Sequence, residues 1–359
     1  MNSTVLQAPP LPEIVEAQRY ALPQRNVFLK DHIFTGCHFD HVDWSGCRLS
    51  NVRFVNCTFE ANRFEHCEST RVTYESCQLQ SAAWQQSALE HVSFTRCDMH
   101  GMTWTRCQLK DSLLAHSQGK DWVFDDVRAA HLSFVTSHIV GIRLQAGHWS
   151  DASWVDCQLS AVRIESAQLT NLIVGQSEIA GAALVGCQGI NVRWIASRIE
   201  NMSIVGCDIN QAAWSHSTWV SGEILDCHLP LVSFDASVLN GLSVKKSRLG
   251  QPIFDSARLV DCELQHLHAP RMSLRDAQLV RVNLGGAHLP QLDARGAHLD
   301  AVALHGTHCR DANLIGQSRL AWRLADTHGA NFEPVLTDDE HVWWRRNQPG
   351  ARRQDDEHA

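Results

Sequence analysis

No run of apolar residues in this sequence approaches the roughly 18 needed to span a bilayer, so a membrane helix is not its organising element. The N-terminus has no basic start followed by an apolar stretch, and no secretory leader is expected. Charge is scarce, at 19% of residues, and the net charge of -8 is spread thinly along 359 residues. Phosphate backbones are held by clustered Lys and Arg. The nearest approaches are the short groups Lys245, Lys246, Arg248 and Arg345, Arg346, which read as solvated surface. Neither a nucleic-acid nor a membrane partner is expected, and the expected location is the cytoplasm. The chain also lacks a nucleophile elbow, a phosphate-binding glycine loop and the paired histidines of a metalloprotease helix. Its 13 cysteines include no CxxC pair, which excludes the usual zinc frameworks. No enzyme activity, catalytic residue, cofactor or metal is expected.

What is there is a period. Residues whose numbers end in 4 or 9 run Phe34, Phe39, Trp44, Leu49, Phe54, Phe59, Phe64 and onward to Leu324. Of these 59 positions 55 are apolar; the exceptions are Ser69, Gly119, Gly189 and Arg319. A helix repeats its apolar face every 3.6 residues and a strand every second residue. A strict period of five fits neither. It fits a chain that turns a corner every five residues and returns the same position inward each time.

A second inward position lies two residues earlier. Numbers ending in 7 are small, as in Cys37, Cys47, Cys57, Cys67, Cys77 and Ser87, while those ending in 2 are larger, as in Val42, Val52 and Val72. Aromatic centres concentrate at numbers ending in 4, so a bulky pentad alternates with a lean one, which is how a narrow interior fills to high density. The corner should fall two residues after each centre. Gly36, Gly46, Gly286, Gly296, Asn51, Asn171 and Asn191 sit there, the residue types that tolerate a positive φ.

The pattern resembles the pentapeptide-repeat family, whose motif is A(D/N)LXX. It appears here as Val282-Asn283-Leu284, Ala312-Asn313-Leu314 and, with His in the polar slot, Ala297-His298-Leu299. The resemblance implies an all-β fold, a right-handed quadrilateral β-helix with four pentads per coil and about 15 coils. By analogy it implies a non-enzymatic protein-binding rod or scaffold, as in accessory proteins of type VI secretion clusters. The alternative it implies is a DNA mimic that inhibits or protects a DNA-binding enzyme such as gyrase, which would need a dense acidic surface.

The expected organisation is an N-terminal tail or cap over residues 1–29, the repeat over 30–333, a short C-terminal capping helix over 334–347 and a disordered tail over 348–359. Candidate interaction residues follow. Trp343 and Trp344 lie in the C-terminal segment, where one would cover the last coil and the other would join a homodimer. Trp122 puts an indole where a small residue belongs, beside Gly119, and reads as volume compensation or as an exposed contact. His268, His288, His308 and His328 recur every twenty residues and, with four pentads per coil, would form an outer ladder. The cysteines should be buried free thiols.

Overall fold

The computed structural model describes residues 12–332. Among the described residues every named element is a strand. Every strand pairing is parallel, and most join a residue to the one twenty later: Phe34 to Phe54, Trp84 to Trp104, Arg198 to Thr218, Gln278 to His298. Four pentads therefore make one coil. The column from Phe34 to Leu314 has fifteen rungs, giving a solenoid of about 14 turns. The strands fall into sheets of 22 and 21 members, each wrapping two neighbouring sides of the rod.

Each side is short because the corner cuts it. Strands such as Thr58–Glu60 and Arg63–Glu65 hold three residues, with the central one inward. From Asp31 to Gly316 the corners have positive φ at every position but Leu231: Gly36 at 61°, Asn51 at 55° and Asn191 at 60°, but also Ala161 at 52° and Thr136 at 46°. A residue with a Cβ loses on the order of 1–2 kcal/mol in this conformation, and a β-branched one is the poorest fit. Thr136→Gly should therefore raise stability by about 1 kcal/mol, read as a higher midpoint in urea. A lower midpoint would show that the Thr136 side chain contributes more than its strain removes.

The core is a continuous column of side chains with almost no accessible surface. The centres from Phe34 to Leu314 are buried, with Gly189 and Leu299 partly exposed. Aromatic centres stack coil on coil: Phe34, Phe54, Tyr74 and Phe94 in one column at 5.1, 5.0 and 4.7 Å. In another, Trp44, Phe64, Trp84, Trp104 and Phe124 stack at 5.6, 4.7, 5.6 and 4.4 Å.

Both ends depart from expectation. Residues 13–29 are not a tail over the first coil but part of the solenoid. Glu13–Glu16 pairs with His32–Thr35, aligning Val15 with Phe34, and Tyr20 aligns with Phe39, nineteen residues on. Gln24 aligns with Trp44, twenty on. The first coil is one residue short between Tyr20 and Gln24, around Pro23, and this slip hides the repeat from a fixed count of five. At the other end His308 pairs with Asp326 and Asn313 with Asn331, so the last described coil is two residues short. Counting back, Trp322 occupies the centre that corresponds to Leu304 and is buried, whereas Leu324 is exposed. Phe332 packs on the core end with the Arg319 guanidinium 4.4 Å above its ring. The last coil thus supplies part of its own cover, a role expected only of the segment 334–347. The expected helix over 334–347, with Trp343 and Trp344, and the tail over 348–359 lie outside the described residues.

Candidate functional site

The small inward slot is chemically specific. The Cys57 thiol donates to the carbonyls of Phe34 and Val55, both at 3.4 Å. Ser87 Oγ donates to Phe64 and Gln85 at 3.2 and 2.9 Å, and Asn62 Nδ2 to Phe39 and Glu60 at 2.7 and 3.0 Å. The slot thus holds a short donor that ties two backbone carbonyls together, one of them on the preceding coil. Smallness was legible in the sequence; the donor role was not, although the recurrence of Cys with Ser rather than Ala alone was its signal.

All 13 cysteines are free and buried. Burial pushes Cys67 up to about 12 and Cys107 and Cys262 up to about 11. Where thiols stack on successive coils they divide: the Cys207 thiol holds Cys187 down to about 7, and Cys207 itself is raised. Thiolate chemistry needs access as well as ionisation. Thiol titration of the native protein should label fewer than one equivalent in minutes. Rapid labelling of most of the thiols would overturn the assignment of inward slots.

Trp122 is buried, not an outward contact. Its indole N–H donates to the Met99 carbonyl at 2.8 Å, and its ring meets those of Trp104 and Phe134 edge-on, 6.0 Å away in each case. A Cβ at Gly119 would lie 2.5 Å from Trp122 Nε1. The indole occupies the room that Gly119 leaves empty, as volume compensation requires. Gly222 and Trp219 repeat the arrangement.

The histidine ladder has three rungs rather than four. His268 and His288 pair across coils and stack at 5.1 Å, and His308 follows at 6.0 Å with its ring tilted. The two-residue shortening puts Asp326 under His308, 3.6 Å from its Nδ1, and carries His328 off the column. Upward the column continues through Arg248, His228 and Asp208. Among the described residues one trio lies close enough to share a metal ion, Glu90, His91 and Asp111, and none of the ladder belongs to it. There the Lys110 ammonium already sits 2.8 Å from Glu90 and 3.8 Å from Asp111.

The outer sides differ in charge. Most carry acids beside bases, such as Arg48 with Glu68, Arg163 with Glu165 and Arg281 with Asp261. One side is different. Its two outward columns read Ser93 and Thr95, Leu113 and Ala115, Ser133 and Val135, Ser153 and Val155, Ile173 and Gly175, stacked in register. No charged residue falls in these columns over five coils. Leu113 and Ile173 are among the exposed large apolar side chains of the chain, and polar corners such as His131, Asp151 and Asp156 rim the strip. The strip was readable in the sequence once a spacing of twenty was known; five and ten do not separate it from its neighbours.

Residues 27–104 match the family model described as "Pentapeptide repeat region", and residues 277–316 match "Pentapeptide repeats (8 copies)". Both segments carry the repeats of the pentapeptide-repeat family. Between those two segments the twenty-residue register continues unbroken. Similar solved structures include QnrB1, a plasmid-mediated fluoroquinolone resistance protein, at 16% identity over 55% of this chain and 100% of that one, with a TM-score of 0.24. HetL, a pentapeptide repeat protein involved in heterocyst differentiation regulation in the cyanobacterium Nostoc, aligns at 15% identity over 79% of this chain and 89% of its own, with a TM-score of 0.19. No curated protein matches the chain.

Proposed function

We propose that this chain is a non-enzymatic scaffold that holds a protein against one flat side of the rod. The observation that carries this reading is the uncharged strip from Ser93 to Gly175 on a rod otherwise covered by mixed charge. An interface centre depleted of charge and rimmed by polar groups is the usual composition of a protein-docking surface. A rigid solenoid offers it at fixed intervals without loops to order on binding. Thirteen unpaired thiols suit a reducing cytoplasm. No helix among the described residues is long and apolar enough to cross a membrane.

DNA mimicry would call for a continuous acidic stripe, since duplex DNA carries about one charge per 1.7 Å. The column through Asp208 instead alternates acid, His, Arg and three further His before Asp326. The scaffold reading is tested by using the tagged chain as bait in its native cells beside the variant Leu113→Glu with Ile173→Glu. The expected result is a specific protein recovered by the parent and lost by the variant, and its identity would say whether a secretion assembly is involved. Equal recovery by both baits would sink the reading.

A further inference from the structure

We propose that the occupant of the uncharged strip is a second copy of this chain, packed face to face and antiparallel about a two-fold axis between the coils of Ser133 and Ser153. The inference rests on the docking reading above and names its partner. Three observations point to it. The strip is flat and built of small side chains, Ser133 and Ser153 being joined at 2.9 Å through their hydroxyls, so two such sheets can approach closely. An antiparallel pairing about this axis sets Leu113 against Ile173 of the second copy, bringing together the two exposed apolar side chains of the strip.

The corners then decide the register. On one edge His131 meets Asp151, Asp111 meets Asn171, and His91 meets Asn191. On the other, Thr136 meets Asp156, His116 meets Gln176, and Arg96 meets Ala196. No two acids and no two bases face each other. A parallel dimer would set Asp156 against Asp151, and an axis moved to the Ser133 coil would set Asp111 against Asp151. Like charges held together across an interface disfavour both. The six coils from His91 to Ala196, spaced about 4.8 Å apart, cover roughly 29 Å of rod. Their burial on both copies removes on the order of 700 Å², below the usual size for a stable specific interface. The dimer is therefore weak and concentration-dependent.

Sedimentation velocity of the full chain over a hundredfold range of concentration tests this. The parent should pass from monomer to dimer. Val135→Lys, whose ammonium would face Val155 of the second copy, should raise the dissociation constant by about 100-fold or more. Val185→Lys, on another side, should leave the constant unchanged, and thermal unfolding of both variants checks that they fold. A nitroxide placed by Ser93→Cys should report the two copies five coils apart, about 24 Å, the native thiols being buried. A parent monomeric at every concentration, a dimer indifferent to Val135→Lys, or labels brought face to face would each overturn the proposal. A monomeric parent whose Leu113 and Ile173 variant still loses a captured protein would leave the scaffold reading standing and remove only the second copy.

Discussion

Trp104→Ala should lower stability by about 3–5 kcal/mol, the range for truncating a large buried aromatic. Trp104 has no accessible surface and stacks between Trp84 at 5.6 Å and Phe124 at 4.4 Å, with Trp122 edge-on. Three aromatic contacts are lost and the cavity lies inside the rod, where the neighbouring coils cannot close on it. Trp104→Phe should cost far less, because it keeps the stack and removes an indole N–H that finds no acceptor in the core. Chemical denaturation read by tryptophan fluorescence and circular dichroism checks both. Solenoids need not unfold in one step, so the loss is expected in the transition that reports the coils around Trp104. A loss below about 1 kcal/mol for the alanine variant would contradict the packing argument.

The second large effect is a rescue. Gly119→Leu restores the usual residue to a centre, yet a side chain there drives into the Trp122 indole and crowds the Met99 carbonyl. Overpacking of this kind costs about 1–3 kcal/mol or more. Trp122→Val restores the usual slot residue, yet it opens a cavity beside Gly119 and leaves the Met99 carbonyl without its 2.8 Å donor; about 3–5 kcal/mol is expected. The double variant carries Leu and Val, the pair found at Leu49 and Val52 and again at Leu89 and Val92. It should recover to within about 1.5 kcal/mol of the parent, the usual tolerance for volume-conserving exchange, so the two changes are strongly non-additive. A double variant as unstable as the sum of the singles would show that Gly119 answers to its close backbone approach rather than to the indole.

The aromatic stacks and the Gly119–Trp122 exchange stand differently towards the sequence. The exchange could be read from it, because the two residues sit in one pentad pair and their volumes offset locally. The stacks could not. Trp84 and Trp104 meet because twenty residues return the chain to the same side, and the sequence displays only five and ten. For the same reason the four histidines spaced by twenty looked like one ladder, until a last coil of eighteen residues replaced His328 with Asp326. The first coil, of nineteen, was invisible behind its slip near Pro23.

By itself the sequence determined the period, the inward slots and the corners with positive φ. Each of these follows from the volume, polarity or backbone freedom of single residues, and repetition makes such local properties legible. The tertiary structure decided how many residues close a coil at each end, and so which outer residues share a column. It also decided that the small slot is a hydrogen-bond donor and that one side of the rod carries no charge from Ser93 to Gly175. Those properties belong to neighbours about twenty residues apart, and only the closed coil makes them neighbours.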